Sequence, residues 1–272
     1  MTATDDPIPD DSPDGHAPRT ATTQTEHGRP ENIRPTSPVL QCRDLRREYV
    51  RSASRSRLRW RRGDDSPPPV TALDGVSLDI DRDEIVGVVG PSGSGKSTLL
   101  HLLAGLDVPT DGQIAFDGTD LTTLTAAQRA RHRLDNVGLV FQRFHLLDTL
   151  SARANVALPL IERGVGKRTR RARATELLER VGLGDRIDHT PRELSGGECQ
   201  RVAIARALIT DPAVVIADEP TGELDSKTSE TILSLFDELA EGRAIVVASH
   251  DQQTIDAMDR IIRLHDGQLM EG

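Results

Sequence analysis

Positive charge is in deficit in this sequence. It has 34 Lys and Arg residues and 43 Asp and Glu residues, which gives a formal net charge of −9 and a pI near 5.4. Affinity for nucleic-acid phosphates comes from clustered Lys and Arg. The acidic balance therefore argues against a dedicated nucleic-acid binder, and we expect no nucleic-acid partner.

Cysteines and long apolar runs are scarce too. Cys42 and Cys199 are the only cysteines, and they lie far apart without the spacing of metal ligands, so a reducing compartment is the natural assumption. No apolar run approaches the roughly 18 to 20 residues that cross a bilayer, and the N-terminus lacks the apolar core of a signal peptide. We therefore expect a chain that is soluble by itself.

The sequence does contain a full match to the phosphate-binding pattern G-x-x-x-x-G-K-[ST]. The matching residues are Gly90, Pro91, Ser92, Gly93, Ser94, Gly95, Lys96, Ser97 and Thr98. The apolar run of 85–89 predicts a strand before this loop, and the leucines of 96–104 predict a helix after it. Backbone N–H groups and the helix dipole would then face a di- or triphosphate. We expect Lys96 to reach the β- and γ-phosphates and Ser97 to ligate Mg²⁺.

Polar residues follow directly or just past three further apolar runs, which predict strands over 137–141, 213–217 and 244–248. These residues are Gln142, Asp218 with Glu219, and His250. Any one of them alone is compatible with an ordinary loop residue, but open α/β sheets gather ligands at the carboxyl ends of their strands. We expect Asp218 to hold Mg²⁺ and Glu219 to polarise the water that attacks the γ-phosphate.

A helical insertion is predicted between about 145 and 200, where the hydrophobic pattern becomes mostly helical. Near its end, Ser195, Gly196 and Gly197 open an amphipathic helix that continues through 199–208. A serine and two glycines at a helix start form a second anion site from backbone N–H groups.

The other strand signals lie near both ends of the chain. They predict a first strand over 39–45, further strands within 70–80 and over 113–118, and a closing hairpin over 260–264 and 268–269. The single tyrosine, Tyr49, follows the first strand and would offer a platform for an adenine ring, where stacking contributes about 1–3 kcal/mol. The alternative is a half-buried strand tyrosine.

Two segments stand outside this pattern. Residues 1–37 combine Asp with Pro, Thr and Ser, so we expect a disordered tail, or alternatively an acidic tether for a partner. Residues 51–69 combine six Arg with Trp60 and three prolines. A mobile hairpin insertion is the simple interpretation, and the alternative places Trp60 at a membrane interface beside anionic headgroups.

Five elements, taken in order, resemble the nucleotide-binding subunit of ATP-binding cassette (ABC) transporters. They are the phosphate loop of 90–98, Gln142 as the Q-loop, 194–198 as the signature, Asp218 and Glu219 as Walker B, and His250 as the switch. The likeness covers about residues 38–272 without the 51–69 insertion. The residues of 140–147 and 219–225 are most similar to the lipoprotein-release, macrolide-exporter and cell-division branch.

The resemblance implies an α/β fold of the P-loop NTPase class. It comprises a mixed RecA-like core sheet, an antiparallel β subdomain and a helical subdomain, with one ABC ATPase domain over 38–272. It also implies an ATPase that works as a head-to-tail homodimer. The phosphate loop of one subunit would face Ser195 and Gly197 of the other, with ATP between them.

The resemblance also implies individual roles at each ATP site. Ser97, Gln142 and Asp218 would surround Mg²⁺. Glu219 would act as the general base, and His250 would contact the γ-phosphate.

A separate integral membrane permease is the partner that the resemblance implies, with the chain peripheral on the cytoplasmic face of the cell membrane. The alternatives are a soluble ABC ATPase acting on nucleic acid or ribosomes, and a regulatory cassette without cargo. The first usually carries a long coiled coil between the Q-loop and the signature, or two cassettes in one chain. A P-loop kinase or GTPase would leave 194–198 and His250 unexplained.

Overall fold

The computed structural model describes residues 38–50 and 68–270. The predicted tail of 1–37 lies outside the described residues, and so does the 51–69 insertion except for its last two residues. The strands are β1 (Leu40–Tyr49), β2 (Val70–Ile80), β3 (Ile85–Val89), β4 (Asp111–Phe116), β5 (Thr119–Asp120), β6 (Val137–Phe141), β7 (Val214–Asp218), β8 (Ala244–Ala248), β9 (Arg260–His265) and β10 (Gln268–Leu269).

The helices pack around these strands. They are α1 (Lys96–Leu103), α2 (Ala126–Asn136), α3 (Ala152–Val156), α4 (Leu158–Glu162), α5 (Lys167–Arg180), α6 (Gly196–Leu208), α7 (Ser226–Leu239) and α8 (Gln252–Asp256). Single 3₁₀ turns occupy Leu121–Thr123, Gly184–Arg186 and Pro191–Glu193. Within the described ranges, none of the helices has the length and apolarity that a bilayer crossing requires.

The larger sheet has six strands in the order β10-β9-β3-β8-β7-β6. The five strands from β9 to β6 pair in parallel, and β10 joins β9 as an antiparallel edge strand. The carboxyl ends of β3, β6, β7 and β8 therefore lie along one edge of the sheet, where open α/β folds form their ligand sites.

The smaller sheet is antiparallel, with the order β2-β1-β4-β5. The sequence places the end of the first strand at residue 45, but β1 continues to Tyr49. Its later residues stay paired with β2, and Tyr49 lies opposite Val70. Cross-strand pairing therefore extends a strand whose polar residues carry little hydrophobic signal.

Both faces of the parallel sheet are covered, and β7 shows this directly. Val214 and Ile216 belong to a buried cluster that includes β1, β2 and α1. Val215 and Ala217 belong to a second cluster with residues of α3, α5, α6 and α7. Because side chains alternate between the faces of a strand, a strand buried on both sides is apolar throughout.

Arg163, directly after α4, connects three parts of the helical region. Its Nε donates to Oδ1 of Asp135 at 2.9 Å, its Nη2 donates to the Asp135 carbonyl at 2.9 Å, and its Nη1 donates to the Thr210 carbonyl at 3.0 Å. The first two contacts satisfy the end of α2, and the third lies just beyond α6. Arg163 therefore holds α4 against the core.

Replacing Arg163 by Met should lower the free energy of unfolding by about 2–3 kcal/mol, because it removes charge-assisted hydrogen bonds and leaves carbonyls without donors. Urea denaturation measures this change. Arg131→Met is the matched control, since Arg131 pairs with the same Asp135 but its side chain is 61% exposed. We expect a change of about 0.5 kcal/mol or less there. Equal losses in the two variants would contradict this role of Arg163.

Candidate functional site

A cavity of about 580 Å³ lies at the carboxyl edge of the parallel sheet. It is lined by Ala72, Gly90, Pro91, Ser92, Gly93, Gly95, Lys96, Ser97, Thr98, Gln142, Asp218, Glu219 and His250. The structure thus brings together the phosphate loop and the polar residues that follow β6, β7 and β8. Ser94 does not line the cavity; it is buried, and its hydroxyl has no hydrogen-bond partner among the described residues.

Two glycines allow the phosphate loop to lie tightly between β2 and β9. Gly90 and Gly95 have φ values of 155° and 105°. A Cβ on Gly95 would lie 2.5 Å from the Ala72 carbonyl oxygen, and one on Gly90 would overlap the Leu264 carbonyl oxygen. Because only glycine fits both positions, the loop keeps its backbone close to the sheet and open toward the cavity.

Lys96 begins α1 and lines the cavity with its charged side chain. Its Nζ donates to the carbonyl oxygens of Gly90 at 2.8 Å and Pro91 at 3.1 Å. No carboxylate of the described residues forms an ion pair with it. The loop carbonyls therefore hold an ammonium group whose charge is available to an anion in the cavity.

Glu219 and His250 form a pair at the opposite side of the cavity. Oε1 of Glu219 lies 2.8 Å from Nδ1 of His250, and the backbone N–H of Glu219 donates to the Ala248 carbonyl at 2.9 Å. Glu219 has a φ of 49°, which is uncommon outside glycine and occurs at functional sites. Its Oε2 is buried and has no hydrogen-bond partner in the described part of the chain. A buried carboxylate oxygen without a donor fits a bound molecule that brings one.

Gln142 and Asp218 complete the edge of the cavity from neighbouring strands. Asp218 is the last residue of β7, and Gln142 directly follows β6, where Phe141 pairs with Asp218. Nε2 of Gln142 lies 3.3 Å from the position that a Cβ on Gly222 would take. The Q-loop thus contacts the segment that follows Glu219.

The structure does not bring Ser195, Gly196 and Gly197 to this cavity. Ser195 caps α6: its Oγ accepts from the Glu198 N–H at 3.3 Å, and its own N–H donates to Oε2 of Glu198 at 2.8 Å. The bond from the Ser195 N–H lowers the pKa of the Glu198 carboxyl. Ser195 and Gly196 are exposed, while Gly197 is buried against Thr228 of α7. The start of α6 therefore exposes Ser195 and Gly196 outside the phosphate-loop cavity of the same chain.

Tyr49 also lies outside the cavity lining. Its hydroxyl donates to Oδ2 of Asp107 at 2.9 Å, and the Arg47 guanidinium carbon lies 4.6 Å from the ring centroid. Arg47 thus covers one face of the ring. The residue is 38% exposed. The paired strand β2 contributes Ala72 to the cavity, so Tyr49 lies near the cavity, with one ring face against Arg47.

Arg206 is a residue of this region that the sequence pattern does not reveal. It lies on α6 and donates from Nη2 to the Phe144 carbonyl at 2.8 Å and from Nη1 to the His145 carbonyl at 2.5 Å. Burial lowers the pKa of its guanidinium. Arg206 links the helix that starts at Ser195 to the segment that follows Gln142. An arginine within the apolar repeat of α6 was the only available signal.

A second cavity, of about 630 Å³, lies beside this link. It is bounded by α2, β6, α4 and α6, and it contains Phe141, His145 and Arg206 but no phosphate-loop residue. Its position next to the Q-loop makes it a surface adjoining the site rather than the site itself.

A phosphate loop at the end of one parallel strand, with carboxylates at the end of another strand of the same sheet, is the arrangement of a P-loop nucleoside triphosphatase. The family model described as "ABC transporter" matches residues 73–222. The chain belongs to this ABC transporter family.

Two relatives give the comparison more detail. The chain is 46% identical over 201 residues to the lipoprotein-releasing system ATP-binding protein of Xanthomonas oryzae, covering 73% of this chain and 82% of that protein. It is 42% identical over 235 residues to a macrolide export ATP-binding/permease protein of Paracoccus denitrificans, covering 86% of this chain and 33% of that protein. The predicted resemblance to lipoprotein-release and macrolide-export proteins is confirmed.

A solved structure agrees with the fold. It is the dimeric structure of an ATP-binding cassette in a post-hydrolysis state, bound to ADP and phosphate. The TM-score is 0.74 and the identity 37%, over 85% of this chain and 97% of that one. The predicted fold class and ATPase activity are thereby confirmed, and ATP is the nucleotide of this class.

Proposed function

We propose that this chain is the ATP-hydrolysing subunit of an ABC transporter, and that two copies enclose ATP and drive a separate membrane permease. This proposal rests on one observation: the phosphate loop and the start of α6, which are the two predicted anion sites, lie apart in one chain. The phosphate loop and Glu219 line one cavity, while Ser195 and Gly196 are exposed elsewhere. A site assembled from both parts needs a second copy.

The residues of the cavity fit ATP with Mg²⁺. The glycine loop lines the cavity, and the Oε2 of Glu219 has no donor among the described residues. Ser97, Gln142 and Asp218 are the oxygen donors that would hold Mg²⁺, which neutralises phosphate charge. Among the residues that the structure describes, no group of three or more His, Cys, Asp or Glu could hold a metal. Phosphate oxygens would complete the coordination, as is usual for Mg²⁺ at nucleotide sites.

Each of the cavity residues then has its own role in ATP hydrolysis. Lys96 leaves its loop carbonyls for the β- and γ-phosphate oxygens. Glu219 accepts a proton from the attacking water. The oxygen of that water forms a bond to the γ-phosphorus while the bond between the γ-phosphorus and the leaving ADP oxygen breaks. His250 donates toward the γ-phosphate and orients Glu219 through their 2.8 Å contact. Gln142 lies between the metal site and the helical region.

The second copy would supply the remaining residues of the ATP site. The start of its α6, with the Ser195 side chain and the Gly197 backbone, would face the γ-phosphate bound to the first copy, because the N-terminus of a helix favours negative charge. The solved relative is itself a dimer. Loss of the γ-phosphate removes the group that both copies contact, so hydrolysis separates them.

The permease would dock beside the Q-loop. The cavity of about 630 Å³ lies there, and Arg206 ties the same loop to α6. Opening and closing of the dimer would therefore move the docking surface. In this proposal the chain lies peripherally on the cytoplasmic face of the membrane. The similarity to the lipoprotein-releasing and macrolide-export proteins favours an exporter or lipoprotein-release system.

Affinity purification of the tagged chain from native membranes in mild detergent tests this function. We expect a permease to co-purify, and its identity would define the branch of the family. Recovery of ribosomes or DNA-associated proteins instead would favour a soluble ABC ATPase. Recovery of cell-wall or division proteins without a cargo pathway would favour the regulatory cassette.

Tyr49→Leu should weaken ATP binding by about fivefold or more, because stacking of a base on an aromatic ring contributes about 1–3 kcal/mol. Equilibrium binding of a fluorescent ATP analogue measures the change. Tyr49→Phe is the matched control: it keeps the ring and loses only the hydrogen bond to Asp107. Wild-type affinity in both variants would support the alternative of a structural tyrosine.

A further inference from the structure

A separate pocket of about 280 Å³ lies in the helical region, between α3, α4 and the start of α5. It shares no lining residue with the phosphate-loop cavity. Four cationic side chains line it, namely Arg153, Lys167, Arg170 and Arg171, against the single carboxylate of Asp188. This lining is basic although the chain as a whole carries a net charge of −9.

Two of the four cations have no partner among the residues that the structure describes. Arg153 pairs with Asp188, and Nη1 of Arg170 donates to the Val165 carbonyl at 3.0 Å. Lys167 and Arg171 are exposed and form no hydrogen bond or ion pair with any described residue. The pocket therefore keeps two free positive charges on one side.

The helix that supplies these charges is electrostatically unfavourable by itself. Five of the first seven residues of α5 are Lys or Arg, and its first turn contains no acidic residue. Like charges at helical spacing repel, and the positive end of the helix dipole repels cations near the N-terminus. An anion in the pocket would reduce this repulsion.

The pocket also offers apolar surface. Leu150 and Leu158 are half-buried in its lining, and Ile161 is 46% exposed. Its volume lies just below the range of ligand sites, which is about 300–1,000 Å³. Cations beside an exposed apolar side chain suit an amphiphile whose headgroup is small and anionic.

We propose that this pocket binds the phosphate headgroup of an anionic phospholipid and holds the helical region against the membrane surface. The proposal rests on the proposed function, which places the chain beside a permease. A free phosphate would use the cations but would gain nothing from the exposed side chain of Ile161. The apolar rim therefore favours the lipid.

Co-sedimentation of the full chain with vesicles tests the proposal. We expect binding to phosphatidylglycerol vesicles and not to phosphatidylcholine vesicles at moderate salt. The double variant Lys167→Gln, Arg171→Gln should weaken binding by roughly tenfold or more, since each cation near an anionic surface contributes about fivefold. The matched control Arg168→Gln, Arg173→Gln removes two charges from the same helix outside the pocket and should weaken binding by about threefold or less.

Further outcomes separate the sources of the anion. Ile161→Ser should also weaken vesicle binding, and millimolar inorganic phosphate should not displace the chain. Equal losses in the two double variants, full binding by Ile161→Ser, displacement by phosphate, or no binding to anionic vesicles would each overturn the proposal. ATP turnover should be unchanged in all these variants. Absence of turnover in the wild-type chain would contradict the proposed function instead, whatever the vesicles show.

Discussion

Glu219→Gln is expected to leave ATP binding intact and to slow ATP turnover by about 100-fold or more, because the amide cannot accept a proton from the attacking water. The substitution preserves the shape of the side chain and its contact with His250. With ATP uncleaved, two copies should stay together. Steady-state phosphate release measures the first effect, and size-exclusion chromatography with ATP and Mg²⁺ measures the second.

Glu223→Gln is the matched control for this variant. Glu223 lies four residues later, is exposed, and does not line the cavity. We expect wild-type turnover and no ATP-dependent dimer that outlasts hydrolysis. If Glu219→Gln turned over ATP at the wild-type rate, Glu219 would not be the general base.

Lys96→Ala should abolish turnover by a different route, through loss of nucleotide affinity. A charge-assisted hydrogen bond contributes about 1.5–3 kcal/mol, so affinity for ATP should fall roughly 10- to 100-fold. At the start of α1 the Lys96 side chain forms hydrogen bonds with only two loop carbonyls among the described residues, so the fold should be preserved. Equilibrium binding and circular dichroism together measure affinity and folding.

Lys227→Ala serves as the control, since Lys227 is an exposed lysine of α7 outside the cavity. Its ATP affinity should match that of the wild-type chain. The two variants should therefore differ in their affinity for ATP, which Glu219→Gln retains and Lys96→Ala weakens. Wild-type affinity in Lys96→Ala would contradict the phosphate-loop assignment.

The central strands were predictable because of where they lie. β3, β6 and β8 have the bounds that their apolar runs predict, and each is largely buried on both faces. A strand in such a position tolerates almost no polar residue, so the change from apolar to polar residues indicates where the strand begins and ends. The cavity residues that follow these strands were predictable for the same reason.

The α2 helix was not predicted, and its burial explains why. None of its residues is buried, so it has no apolar stripe to mark a helical period. Its start does carry a local signal: Thr125 and Gln128 form a capping box, in which each side chain accepts a bond from the other's backbone N–H. A search for that spacing would have located the helix start.

Contacts between distant segments could not be predicted from local patterns. The two carbonyls that Arg206 binds, the hydrogen bond from Tyr49 to Asp107, and the burial of Ser94 all depend on tertiary packing. The sequence does predict an anion site at Ser195 and Gly197. The structure adds that these residues do not line the phosphate-loop cavity of the same chain, which is the basis for requiring a second copy.

ATP turnover per chain, measured with Mg²⁺ over a wide range of chain concentration, tests that requirement most directly. We predict low turnover per chain at high dilution and a rise to a plateau, because a lone chain lacks the second copy's Ser195 and Gly197. Turnover per chain that is independent of concentration, in protein that sediments as a monomer with ATP, would contradict the composite site.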